Sequence, residues 1–257
     1  MRPIKRRDVL KGLAAGVPAI ALGSGSPASA ATNWAAAADD RAPGVLRIRD
    51  QGGFAVGGSV KTTPGTFDPR NPTNPAGQTL RGDHARVFFQ VPERARKLPL
   101  VLWHGFKESG TSWGMTPDGR EGFQTLFLRR RYSVYTLDQP RRGAAARTTL
   151  GTTTDTAPDE QWFFNQFRLG LWPDLYRGVQ FPDDPESLNQ FFRQMVPDSG
   201  PLDAKVVVDA VTAAFHRIGR GILVTHSQAG GFGWRTTMRT SRISPSTGQP
   251  GPRSTKL

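Results

Sequence analysis

The 257-residue sequence contains no cysteine. That excludes disulfide bridges, thiolate metal sites and a cysteine nucleophile, and leaves the compartment open. The apolar run GLAAGVPAIAL (12–22) is too short to span a bilayer, which takes about 20 residues. No internal repeat is visible, and no cluster of His, Asp and Glu has metal-ligand spacing, so no metal is expected. Histidine is scarce, at four copies, so any histidine chemistry must use His84, His104, His216 or His226. What is abundant is glycine (29) and proline (21), which marks a chain with many turns. A hydrophobic content of 37% and a mean hydropathy of −0.45 fit a soluble chain long enough for one large domain with a sizeable core.

A net charge of +13 would suggest a nucleic-acid binder if it were spread over a folded face. It is not. Residues 1–30 carry five basic residues against one acid, and 235–257 carry Arg235, Arg239, Arg242, Arg253 and Lys256 with no acid. The body, 31–234, has 24 basic and 20 acidic residues. The excess sits at the two ends, and no nucleic-acid partner is expected.

The first end has a specific pattern. KRRDVLK is followed by the short apolar run and then by GSGSPASA, with Ala28-Ser29-Ala30 as a cleavage site. Arg6-Arg7 followed by Val9-Leu10-Lys11 resembles a twin-arginine (Tat) signal. Residues 1–30 are therefore expected to direct export to the periplasm or the medium, with the Tat machinery as a transient partner. Residues 31–44 read as a flexible lead-in.

Along the body, VLRIRD (45–50) and GGFAVGGSV (52–60) read as a β-hairpin turning at glycine. Residues 62–80 read as a loop, and HARVFFQVP (84–92) as a strand. LPLVLWHG (98–105) is a continuous apolar run of the kind found in buried central strands. DGREGFQTLFLRRR (118–131) predicts an amphipathic helix with Phe123, Leu126, Phe127 and Arg130 on one face. YSVYTLDQP (132–140) predicts another buried strand. Residues 141–200 read as irregular, with a lid-like insertion over 150–200. DAKVVVDAVTAAFHRIG (203–219) predicts a helix with Val208, Val211, Phe215 and Ile218 on one face and Gly219 at its end. GILVT (221–225) predicts a strand, and QAGGFGWRTTMRT (228–240) a helix. This alternation builds an α/β domain over 45–240, with a mostly parallel sheet and helices on both faces. Ligands in such sheets bind beyond the carboxyl ends of the strands. Two of those ends carry chemistry: His104-Gly105-Phe106 and Thr225-His226-Ser227.

THSQAG (225–230) has the form of a sharp strand-to-helix turn that lifts a serine off the sheet. Thr225 and Ala229, two before and two after Ser227, are both small, as such a turn requires. Acyl transfer also needs two N–H donors aimed at the developing oxyanion. The residue after the serine, Gln228, supplies one, and Phe106, after the His104-Gly105 strand end, is the candidate for the other. His104 and His226 flank the site without filling the base position. Asp138 ends a strand and is expected to brace a loop; Arg141 and Arg142 are expected to be solvated or paired with Asp. Trp113, Trp162, Phe163, Phe164, Phe167 and Trp172 are expected to line a pocket or pack a core.

LPLVLWHGF, SWGMTPDGREGFQTLFLRRRYSVYTLDQPRRG and THSQAG resemble a group of bacterial α/β-hydrolase esterases, over roughly Asp50 to Trp234. The resemblance implies the α/β-hydrolase fold and hydrolysis of small carboxylic esters without a cofactor. It implies Ser227 as nucleophile, with the residue after His-Gly (Phe106) and the residue after the serine (Gln228) as the oxyanion hole.

In that fold the chain order is Ser, then Asp or Glu, then His. Here no Asp, Glu or His follows Ser227; the last acid is Asp209 and the last histidine is His226. Where the family it resembles carries an acid before Pro-Gly, this sequence has Gln249-Pro250-Gly251. Residues 241–257 are basic, Pro- and Ser-rich and free of apolar alternation. The expectation is a domain truncated or frameshifted after Trp234 or near Thr240, with little or no esterase activity; a non-catalytic binding protein is the alternative.

Overall fold

The computed structural model describes residues 44–241 apart from 152, 153 and 157. The expected export signal, most of the lead-in and the tail beyond Ser241 lie outside the described residues.

The first element is one long strand, β1 (Ile48–Thr62), not a hairpin. Its partner is β2 (Thr79–Pro92), antiparallel, reached through the Pro- and Asn-rich loop. The expected turn at Gly52-Gly53 does not form because these glycines are extended and face Phe89 and Phe88; the Phe89 ring lies 3.2 Å from where a Cβ on Gly52 would sit. The glycines make room for a ring. Farther along, Gly57 and Gly58 take φ of 68° and 86°, values that favour glycine.

β3 (Leu100–Trp103) is buried at all four positions, as its apolar run requires. The helix expected over 118–131 is confined to α1 (Phe123–Arg129), with Leu128 buried and Phe123 exposed. A turn closed by Thr116, whose N–H donates to the Arg120 carbonyl, keeps 118–120 out of the helix. Gly122 then packs against the Trp113 carbonyl too closely for any side chain. β4 (Val134–Asp138) follows as expected.

Residues 150–200 are more ordered than their composition suggests. They hold α2 (Glu160–Gln166), a minimal antiparallel pair β5 (Gly170–Leu171) and β6 (Asp174–Leu175), and α3 (Pro185–Arg193). They form their own core of Phe163, Phe164, Leu169 and Phe192. The start of α3 has a local cause: Asp184 caps it by accepting from the Ser187 N–H, and Pro185 opens it. α4 (Ala204–Ile218) matches the expected helix, capped by Asp203 and ended by Gly219 at φ 85°. β7 (Ile222–Thr225) and α5 (Ala229–Thr240) complete the order.

The sheet runs β1-β2-β4-β3-β7. β4, β3 and β7 are parallel, and the β1-β2 pair joins them antiparallel. Residues alternate across β3. Val101 and Trp103 join Val207, Val211 and Ala214 of α4 and Ala229 of α5 in one core. Leu100 and Leu102 meet Leu128 of α1 on the other face. Helices therefore cover both faces, and the carboxyl ends of β3 and β7 lie side by side, Trp103 opposite Thr225.

Candidate active site

Ser227 stands at the junction of β7 and α5 with φ of 49°, a left-handed conformation unusual for a residue with a side chain. The turn is closed on both sides. His226 N–H donates to the Trp103 carbonyl at 3.0 Å, which pins the end of β7 to β3. The N–H groups of Ala229 and Gly230 donate back to His226 and Ser227, starting the helix. Ser227 is exposed, and its Oγ has no hydrogen-bond partner among the described residues. Gln228 is the N-cap of α5, so its N–H lies at the positive end of that helix.

The loop after β3 passes directly beneath this turn. A Cβ on Gly105 would sit 3.2 Å from Ser227 Cβ and 2.8 Å from His226 Nδ1. Glycine is needed there for close approach. Among the described residues neither the Phe106 nor the Gln228 N–H donates to an acceptor in the protein. The two segments flanking Ser227 thus each carry a free N–H donor. Beside them a cavity of about 570 Å3 is lined by Phe106, Gln228, Asp155, Asp198 and the Gly200–Leu202 segment.

The remaining expected residues fall as follows. His104 is fully buried: its Nε2 accepts from the Gln139 N–H, so its Nδ1–H donates to the Gly105 carbonyl at 2.9 Å. Burial pushes its pKa below the usual histidine value, which keeps the ring neutral. Asp138 is a brace, accepting from the N–H groups of Gly110 (2.5 Å) and Ala144 (2.7 Å). Arg141 and Arg142 are both buried and paired, Arg141 with Asp83 and Arg142 with Asp198. The expected aromatics divide: Phe163 and Phe164 are core, Trp162, Phe167 and Trp172 are exposed, and none of them lines the cavity.

Two features were not foreseen. Glu108 Oε2 accepts from the Gly105 N–H at 2.6 Å and lies 3.0 Å from His226 Nδ1. Burial opposes ionisation of Glu108, but the His226 and Gly105 bonds outweigh it and hold its pKa below the usual value. The same bond raises the pKa of His226 above the usual histidine value, against its partial burial. The second feature is the burial of Lys107, which pairs with Asp198 at 2.9 Å and Asp155 at 3.2 Å. The charged pair Lys107-Glu108 directly after His104-Gly105-Phe106 was the only sequence signal for either.

No protein-family profile matches the chain. A protein of a fungal species (strain ATCC 74256), named a probable secreted lipase, is 32% identical over 160 residues, which is 56% of this chain. The match spans 42% of that lipase's own length. A solved structure described as a novel bacterial esterase superimposes with a TM-score of 0.66 at 29% identity, covering 77% of this chain and 66% of the esterase. The fold is of the α/β-hydrolase type. In that fold the strand-to-helix turn after β7 is the nucleophile elbow, and the loop after β3 supplies the second oxyanion donor. In this chain Ser227 and Gln228 lie in the turn between β7 and α5, and Phe106 lies in the loop after β3.

Proposed function

We propose that the protein is an exported serine hydrolase of small carboxylic esters, with Ser227 as nucleophile. The observation that carries this is Ser227 in a left-handed elbow between two unused N–H donors, those of Phe106 and Gln228. A fungal relative named as a secreted lipase and a structural neighbour described as an esterase support both the ester chemistry and the export. Ser227 Oγ adds to the ester carbonyl carbon while the carbonyl oxygen, now negative, accepts from the two N–H groups. Collapse expels the alcohol and leaves an acyl-Ser227, which water then hydrolyses.

The proton leaving Ser227 needs an acceptor, and no Asp, Glu or His follows Ser227 in these 257 residues. His226, bonded through Nδ1 to Glu108, is the nearest imidazole in sequence but flanks the elbow. The 257-residue polypeptide is therefore expected to turn over slowly. Loss of base and acid costs on the order of 10⁴–10⁶ in rate, while oxyanion donors and binding retain about 10³–10⁴ over water. Prolonged incubation with a fluorophosphonate, followed by peptide mass spectrometry, tests the reading: a single adduct on Ser227, absent from Ser227→Ala, is expected. Labelling that survives Ser227→Ala would refute it. The second reading is a binding protein that keeps the pocket without the chemistry, favoured by the unpartnered Ser227 Oγ beside a cavity of about 570 Å3. It predicts saturable binding of non-hydrolysable ester analogues with no adduct.

A further inference from the structure

The Gly105–Phe106 peptide is held by its carbonyl. His104 Nδ1 donates to the Gly105 oxygen at 2.9 Å, and Arg142 Nη1 donates to the same oxygen at 3.0 Å. The N–H at the other end of this peptide plane is the Phe106 donor. The same Arg142 Nη1 lies 3.3 Å from Gln228 Oε1, on the residue that carries the other donor. Arg142 is itself fixed: it is 1% exposed, its Nε donates to Asp198 Oδ1 at 2.5 Å, and its Nη2 pairs with the same oxygen. Asp198 also takes the ammonium of Lys107, the residue after Phe106.

From this we propose that Arg142 is a positioning residue for the oxyanion hole: its guanidinium bridges the loop after β3 and the elbow, and sets the distance and aim of the two donors. The inference rests on the esterase reading for its catalytic consequence, but its structural half stands on geometry alone. Two effects follow from the contacts. A peptide with two donors on its carbonyl cannot rotate without breaking both bonds, so the Phe106 N–H keeps its direction before substrate arrives. Hydrogen bonding at the carbonyl also polarises the peptide, which strengthens its N–H as a donor. A planar fork is required for this geometry. A lysine would keep the charge beside Asp198 but, as a point donor, would not reach Asp198, Gly105 and Gln228 together.

Arg142→Lys is therefore the informative variant. It is expected to keep the ion pair and the fold, and to bind a non-hydrolysable ester analogue with wild-type affinity. It is expected to be phosphonylated at Ser227 about 10- to 100-fold more slowly, because the developing charge loses aligned donors. The carbonyl carbon of Gly105, followed by 13C NMR, should move upfield as it loses a donor. A wild-type labelling rate, or an unmoved Gly105 resonance, would overturn the proposal. If the wild-type protein shows no Ser227-dependent labelling, the esterase reading falls while the Gly105 resonance still decides whether Arg142 holds that peptide. Should Arg142→Lys not fold, Gln228→Met removes only the elbow end of the bridge. Labelling slowed a few-fold supports the bridge, and labelling at the wild-type rate removes it.

Discussion

At Ser227 the backbone itself carries the functional reading. A left-handed φ costs a residue with a Cβ about 1–2 kcal/mol, and the elbow holds Ser227 there at 49°. At an ordinary position glycine is less stable than alanine by about 0.5–1 kcal/mol. Here the order should invert. Ser227→Gly is expected to exceed Ser227→Ala in stability by about 1 kcal/mol in urea titrations, while neither is labelled by a fluorophosphonate. If Ser227→Ala is the more stable of the two, the turn is not strained and the elbow geometry is wrong.

At the scale of elements, the close contact of α4 with β1 explains a misread segment. Gly52 and Gly53 suggested a turn because glycine is the usual turn residue, but all four glycines of the segment, Gly57 and Gly58 included, lie within β1. In the fold they serve approach: a Cβ on Gly57 would lie 2.7 Å from the Ala210 Cα of α4, at a φ of 68°. Gly57→Ala should therefore cost about 2–4 kcal/mol, measurable as a lowered urea midpoint; a cost below 1 kcal/mol would mean that α4 does not rest on β1 there. Elements with a local cause were legible. α4 announced itself through Asp203, its apolar face and Gly219, and β3 through four consecutive apolar residues. The strand-to-helix turn at Ser227 was legible for the same reason, since small residues bracket it. The Arg142 bridge, the Glu108–His226 contact and the aromatic core of 150–200 were not. Each joins residues far apart in sequence, from 29 positions between Phe163 and Phe192 to 118 between Glu108 and His226. A single sequence shows which residues are charged or aromatic, not which ones meet.

For the molecule as a whole, the sequence pattern at residues 1–30 predicts export of an already folded chain. Arg6→Lys with Arg7→Lys should hold the protein in the cytoplasm of a Tat-competent host, as read by fractionation; unchanged export would remove the Tat assignment. The titrating groups of the folded body set a pH window for its stability. Burial opposes ionisation of Asp83, but bonds from Thr149, Arg141 and Thr148 outweigh it and hold the carboxyl far below its usual range. Glu108 is lowered from 4.5 by His226 and Gly105, against burial. Such groups add stability that is complete above their unfolded values and is lost as pH falls through the folded ones. His226 has the opposite sign. Raised above 6.5 by Glu108, it adds stability that is complete below 6.5 and is lost as pH rises through its folded value. Both contributions are complete between pH 4.5 and 6.5, but His104, held neutral by burial, adds stability that is lost as pH falls below 6.5. Thermal stability should therefore be greatest near pH 6.5, fall gently towards pH 4.5 and more steeply below it, and decline above pH 6.5. Glu108→Gln separates the two limbs. It removes the partner that raises His226, so the decline above pH 6.5 should flatten, while the acid limb set by Asp83 persists. An unaltered alkaline limb in Glu108→Gln would show that the contact beneath Ser227 does not form in solution.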